Sequence, residues 1–471
     1  MLVLPCRANI FLDYKKIYQV FLACKHYCQK SNCTQIVSIS LEIDLVEPLI
    51  ALQLAKPDEL NFYFENKSKG EAIAAIDAVA TLKVEGSRHR FYKAQEFINS
   101  CLAKTITVGT TSELFTGPHF FCSFSFFDET TQTDYPFPAA TVFLPRWQIA
   151  KRHEHCVLVA NLVIHAGINV QTLLQHLWEK IELIRSSGSI SNRANNYRQE
   201  FIQEDVTGID NFKRAVISSL ASIRSNHLSK IVLAQALDVS SRAPFSLFQS
   251  LNNLRRLHPA CYIFSTSNGQ GQNFIGASPE RLISIYNQEL TTDALAGSAP
   301  RGKTAAEDAD LANRLLSSEK ERREHQVVIE FITQRLYQLD LIPQLLPPRL
   351  RQLSNIQHLW TPIQAKVPAN VHPLEIVAEL HPTPAVAGAS RDIAMKEIRR
   401  YESFERGLYA APLGWVDYRG NSEFIVGIRS ALIDGDRARL YAGAGIVAGS
   451  DPDKELAEIQ LKLQALLKAL V

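Results

Sequence analysis

Ser422-Glu423-Phe424-Ile425-Val426-Gly427-Ile428-Arg429-Ser430, with Leu413–Asp417 before it and Ala438–Ala444 after it, reads as closely spaced strands of an antiparallel sheet. The last of these runs on as Ala442-Gly443-Ala444-Gly445-Ile446-Val447-Ala448-Gly449-Ser450 and gives way to a helix. Asp451 is placed to cap that helix, and Pro452 takes its first position, where a missing N–H costs nothing. Glu455, Glu458 and Lys462 lie three and four apart and share one face. Alone, such a face is an ordinary solvated ion-pair surface. The Ala-Gly-Ala-Gly run brings glycine backbone to the helix start, an approach a surface helix does not need. Glycines beside Arg429, Lys462 and two carboxylates suit an anionic small molecule held through a hard cation.

Working outward, Glu397 to Tyr409 reads as a short helix and Thr304 to Leu339 as mostly one long one. Tyr262–Ser265, Asn273–Gly276 and Leu282–Tyr286 read as strands separated by turn residues. Gly208 to Arg224 has a helical pattern, and Lys230-Ile231-Val232-Leu233-Ala234 has that of a buried strand. Further back, strand-like runs occur at Ile36–Leu41, Thr105–Val108, Phe120–Phe127 and Cys156–Ile164. Gln171 to Arg185 is amphipathic, with Leu173, Leu174, Leu177, Ile181 and Ile184 on one stripe, before Ser186–Asn192 breaks the pattern. Short-linked strands with helices grouped at intervals predict an α+β layered fold.

The 471 residues are 46% hydrophobic and 21% charged, with a formal net charge of +2. That balance is ordinary for a globular protein and gives no nucleic-acid footprint. The apolar run Ile36 to Ala55 is broken by Glu42, Asp44 and Glu47, so no stretch is suited to a bilayer. Met1 to Leu12 lacks a basic n-region with a clear cleavage site, which argues against secretion. Eight cysteines in a chain this long are no disulfide framework. Cys24, His26, Cys28 and Cys33 cluster, but zinc sites need a second ligand pair and none follows, so the cluster reads as part of a helix with free thiols.

Four further places carry chemistry. In Ser317-Ser318-Glu319-Lys320-Glu321-Arg322-Arg323-Glu324-His325 most of the charge is a helix surface. Glu324 differs, because Val327, Val328 and Phe331 follow at core spacing and a carboxylate beside a core needs a partner or a metal. Gly276-Ala277-Ser278-Pro279-Glu280 ends a strand at a turn and presents Glu280 at its corner, either to water or to a site. Leu295-Ala296-Gly297-Ser298-Ala299-Pro300-Arg301-Gly302 is a loop able to offer N–H groups to an anion. Lys230 opens an apolar strand, where it either snorkels or is a desolvated amine able to act as a base.

Taken together and in order, these segments resemble the chorismate-utilising enzymes: anthranilate, aminodeoxychorismate, isochorismate and salicylate synthases. The resemblance covers residues 206–471 and includes Ile356-Gln357-His358-Leu359 and His381-Pro382-Thr383-Pro384-Ala385. Lys230 resembles the water-using branch, since the amine-using branch has glutamine there. Ala296 departs from the lysine of aminodeoxychorismate synthases, and the His381–Ala385 run resembles isochorismate synthases. Gln235 and Ala411 depart from a common arginine and glycine, neither at a catalytic position.

The resemblance implies a single large unit, a two-sheet antiparallel β sandwich with surrounding helices, to which residues 1–205 contribute rather than forming a free domain. It implies isochorismate formation, with water added at C2 of chorismate and the C4 hydroxyl lost, in menaquinone or phylloquinone synthesis. Lys230 would be the base and Glu280 the acid. Glu324 and Glu458 would hold Mg2+, with Glu455 an outer or water-mediated ligand. Gly297, His358, Tyr409, Arg429, Gly443 and Lys462 would bind the substrate. A cytoplasmic monomer or weak homo-oligomer without nucleic-acid or membrane partners is expected. The alternatives are a salicylate synthase, which adds pyruvate elimination, and a non-catalytic chorismate-binding subunit.

Overall fold

The computed structural model describes residues 2–5, 14–109, 114–129, 135–187, 201–206, 208–353 and 356–470. The long strand Ala140–Arg152 is the hub of the sheet. Glu71–Val84 pairs along its whole length on one side. On the other side the sheet forks, with His119–Phe124 on its first half and His155–Ile164 on its second.

Two limbs leave the hub and matter for function. One runs from Glu71–Val84 through Asn61–Asn66, Tyr262–Ser267, Asn273–Ser278, Ser430–Asp434 and Arg437–Val447 to Lys230–Ser241. The other runs from His119–Phe124 through Pro412–Asp417, Ser422–Val426, Arg281–Tyr286 and Glu289–Pro300 to Ile356–Lys366. Every one of these pairings is antiparallel. The expected two layers are therefore limbs of one continuous hydrogen-bonded sheet. A third, shorter limb through Gln35–Ile43 and Thr105–Gly109 ends in parallel pairs. Strands from before residue 205 pair directly with later ones, as in Phe64 opposite Phe264 and Phe121 opposite Trp415.

Phenylalanines at strand spacing fill the hub, with Phe62 packed on Phe121 and Phe121 on Phe143 at ring distances of 5.1 and 5.8 Å. Cys24 and Cys28 lie on the buried stripe of the helix Tyr14–Ser31 with Ile17 and Phe21, while His26 is exposed. No helix among the described residues is long and apolar enough to cross a membrane. Most of Met1–Leu12 and of the break at Ser186–Asn192 falls outside the described residues.

Three sequence expectations change. Thr304–Leu339 is not one helix but two, Ala305–Ser317 and Glu319–Gln338. Ser318 is extended and its side chain accepts from the N–H of Glu321, a local bond that outcompetes helix continuation. The short helix is Arg391–Tyr401, and residues to Tyr409 turn instead, with Gly407 at φ +50°. Ser422–Ser430 is two strands, broken where Gly427–Arg429 passes between the limbs.

Candidate active site

The chain crosses between the two limbs twice, and each crossing places a charged residue. Asn273–Ser278 belongs to one limb and Arg281–Tyr286 to the other, so Pro279 and Glu280 form the first crossing. Ser422–Val426 and Ser430–Asp434 return the chain, so Arg429 lies in the second. The crossings are bonded to each other. Val426 N–H donates to Glu280 O at 3.1 Å, Ala277 N–H to Arg429 O at 3.1 Å, and Ser278 Oγ to Val426 O at 2.6 Å. Arg429 sits at φ +51°, a left-handed conformation that costs a non-glycine residue on the order of 1 kcal/mol or more and that this double crossing imposes.

One cavity between the limb ends is lined by Glu280, Arg429, Lys230 and Glu324, with the helix Pro452–Leu470 contributing Glu455, Glu458 and Lys462. Gly297, His358, Tyr409 and Gly443 line it too. The sequence reading thus named residues from nine separate segments that the fold brings to one place.

Lys230 is 2% exposed and donates to Glu324 Oε1 at 2.6 Å. Glycines make room for this pair: a Cβ on Gly445 would stand 3.2 Å from Glu324 Oε1 and 3.3 Å from Lys230 Cε. Likewise a Cβ on Gly443 would lie 2.7 Å from the Tyr409 hydroxyl, whose ring stacks on Tyr441 at 5.2 Å. The Ala-Gly-Ala-Gly run is opposite Lys230–Ser241, and its two glycines clear side chains from the cavity wall. Lys462 donates to Gly443 O at 2.8 Å and pairs with Glu458 at 2.7 Å. Asp451 Oδ1 caps this helix by accepting from Asp453 and Lys454 N–H.

Glu280 is not a turn acid facing water. It is 4% exposed, and burial pushes its carboxyl up from 4.5 to about 8, with Asp293's charge adding and Lys230, Thr383 and Arg351 opposing. A carboxyl that keeps its proton at neutral pH can donate it. Thr383 Oγ1 donates to its Oε1 at 3.4 Å. Burial, then Arg429, Lys462 and Arg351, holds His358 well below the usual imidazole range, so the ring is neutral. Its Nδ1 meets Ser298 Oγ at 2.8 Å, and its buried Nε2 has no partner among the described residues. Gly297 is a bulge in the ladder at φ +78°, with the Glu321 carbonyl 3.1 Å from where a Cβ would be.

Glu321, Lys320 and Ser298 also line the cavity and were passed over. The signal for Glu321 was present: it lies three residues before Glu324, on the same helical face, and after the Ser318 cap. Four carboxylates, Glu321, Glu324, Glu455 and Glu458, therefore meet in one cavity. Burial raises Glu321 and Glu455 above the usual carboxylate range, and the charge of Glu324 adds to both. Repulsion of this kind is what a divalent cation would relieve. The donor set is all oxygen, which fits magnesium. Among the described residues no three potential ligands stand close enough to cage an ion alone. Magnesium commonly takes one or two carboxylates and completes its shell with water and ligand oxygens.

The sequence profile of a family described as chorismate binding enzyme matches residues 21–471. Isochorismate synthase MenF of Bacillus subtilis (strain 168) is 32% identical over 366 residues, 75% of this chain and 75% of that protein. The salicylate biosynthesis isochorismate synthase of Pseudomonas aeruginosa is 42% identical over 258 residues, 54% of this chain and 53% of that relative, about half its length. Among solved structures, the menaquinone-specific isochorismate synthase MenF of Escherichia coli superposes with a TM-score of 0.77 at 25% identity, covering 96% of this chain and 99% of that one. Anthranilate synthase component I from Streptococcus pneumoniae TIGR4 shares the fold, with a TM-score of 0.67 at 20% identity over 84% of this chain and 92% of that one.

Proposed function

Because the chain belongs to the chorismate binding enzymes, we propose that it is an isochorismate synthase, an isomerase that converts chorismate reversibly to isochorismate. The observation that carries this reading is the meeting of a buried amine, Lys230, and a buried proton-bearing carboxyl, Glu280, in one cavity with Arg429 and four further carboxylates. Relatives that cover most of this chain carry the isochorismate synthase name, and menaquinone synthesis is the pathway of the structural neighbour. Phylloquinone synthesis would use the same product.

Lys230, as the neutral amine, takes a proton from water as its oxygen bonds to C2 of the ring. The ring double bonds shift, the C4–oxygen bond breaks, and Glu280 gives its proton to the departing hydroxyl, which leaves as water. General acid–base assistance of this kind is worth about 10²–10⁴-fold for each group. Arg429 and Lys462 supply positive charge for the substrate's carboxylates, and neutral His358 offers its Nε2 beside them. Tyr409 and the Gly297 and Gly443 backbone shape the rest of the wall. Glu324 and Glu458 would hold magnesium, with Glu455 and Glu321 around them, and the ion would neutralise a ring carboxylate amid so many acids. The enzyme acts in the cytoplasm on a small molecule, as a monomer or weak homo-oligomer, without a nucleic acid or membrane.

The test is chromatographic identification of the product after incubating pure protein with chorismate and magnesium. Isochorismate, lost on chelation, is expected. Salicylate formed without an added lyase would replace this reading with salicylate synthase, and no turnover would leave a chorismate-binding subunit.

A further inference from the structure

A further buried carboxylate acts on Glu280 without being among the residues that line the cavity. Asp293 is on the strand Glu289–Pro300 and its side chain is 1% exposed. Arg281, the residue after Glu280, donates to Asp293 Oδ1 at 2.7 Å. Trp360 Nε1–H, from the strand Ile356–Lys366, donates to the same oxygen at 2.9 Å. Oδ2 has no hydrogen bond among the described residues, and Arg351 stands 3.5 Å from it. Here one oxygen locks the residue that follows Glu280, and the charge of the carboxylate, paired as it is with Arg281 and Arg351, still acts on Glu280.

We propose that Asp293 is a positioning residue for Glu280, fixing its corner through Arg281 and favouring its proton-bearing form by charge. The proposal rests on the assignment of Glu280 as the acid of the isomerase. Groups facing Glu280 are Lys230 from Lys230–Ser241, Asp293 from Glu289–Pro300 and Arg351 from the strand Arg349–Gln352, with Thr383 donating to it. Lys230 and Arg351 favour the ionised form, and Asp293 is the charge among these groups that opposes them. Its loss therefore lets Glu280 ionise at lower pH.

Infrared difference spectra of the full chain across a pH titration, with Glu280→Gln assigning the carboxyl band, read this directly. In Asp293→Asn the Glu280 midpoint is expected to fall by on the order of one pH unit. The alkaline limb of kcat with chorismate falls with it. Trp360→Phe removes a hydrogen bond from Asp293 and no charge, so its midpoint rises by a smaller amount. A midpoint unmoved or raised in Asp293→Asn overturns the proposal. Should that variant not fold, an unmoved midpoint in Trp360→Phe does so. If the infrared midpoint falls while the kcat limb stays in place, Asp293 tunes Glu280 as proposed and it is the acid role of Glu280 that fails.

Discussion

Two buried ion pairs flank the strand Lys230–Ser241, and they are built on opposite principles. Arg406 is fully buried and donates to Val232 O at 2.8 Å, to Val386 O at 2.9 Å and to both oxygens of Glu402, while Glu402 also accepts from Ala234 N–H at 2.8 Å. The guanidinium also lies 4.3 Å over the Phe126 ring. Its bonding capacity is spent on tying the strand to the Val386 segment. Lys230 makes one side-chain bond, to Glu324, on the wall of a cavity. A pair whose every guanidinium nitrogen is committed holds a fold together. A pair with donors to spare, facing open space, is available for chemistry.

The largest expected effect breaks the second pair. Lys230→Met should lower kcat for chorismate by about 10²–10⁴-fold or more, the loss of general-base assistance. Stability should fall by at most about 2 kcal/mol, because Glu324 is left beside a cavity rather than sealed in the core. Steady-state kinetics and urea unfolding of the same preparation measure both. A variant that keeps its turnover would make the pair a structural one like its neighbour.

Arg406→Met should do the reverse. It strands the Glu402 carboxylate and two carbonyl acceptors, at about 3–5 kcal/mol. Urea unfolding should show that loss, and the molecules that remain folded should keep kcat within a few-fold of the parent. A full loss of kcat without loss of stability would mean that Arg406 reaches the reaction itself.

Glu280 sharpens the comparison from the side of the acid. Its carboxyl is raised from 4.5 to about 8, so the folded protein keeps a proton that the unfolded chain gives up. Stability from this group is complete below about pH 4.5 and is lost as pH rises through about 8. At about 1.4 kcal/mol per unit the loss is on the order of a few kcal/mol. Glu280→Gln should abolish turnover yet raise Tm above pH 8, flattening the pH dependence measured by calorimetry. An unchanged Tm profile would mean that the carboxyl titrates near its ordinary value.

Much of this contrast was legible in the chain. Lys230 and Glu324 stand out because charge beside a core demands a partner, Glu455 because glycine backbone meets the start of its helix, and the order of segments carried the family resemblance. Arg406 fell inside the expected Glu397–Tyr409 helix and did not stand out, since its partners Val232, Val386 and Phe126 lie in segments that only folding brings together. Asp293 was hidden for the same reason: its partners are Trp360 and two arginines on other strands. The break at Ser318 was legible and overlooked, because the helical pattern runs straight through it while Ser-x-x-Glu marks a new start. The role of residues before 205 was legible only through the family resemblance, and no local pattern carried it. Strand pairing such as Tyr63 with Ser265 spans some two hundred positions, and no local pattern encodes it.

That overlooked cap gives the smallest effect and the finest test of how the open pair is held. Ser318 Oγ accepts from Glu321 N–H at 3.4 Å, so the helix that carries Glu324 starts there rather than continuing from Ala305–Ser317. Ser318→Ala removes the only feature that distinguishes two helices from one in the local sequence, at about 1 kcal/mol. If the cap merely stabilises, unfolding shifts by that amount and kinetics stay put. If the break also sets where Glu321 and Glu324 stand in the cavity, the magnesium concentration for half-maximal rate rises several-fold while kcat at saturating magnesium is nearly restored. The second outcome is expected, because Ser298 N–H is bonded to Glu321 Oε2 at 3.1 Å, which couples the first turn of that helix to the bulge at Gly297. A change in kcat that saturating magnesium leaves uncorrected would place the helix start in the reaction rather than in the binding of the ion.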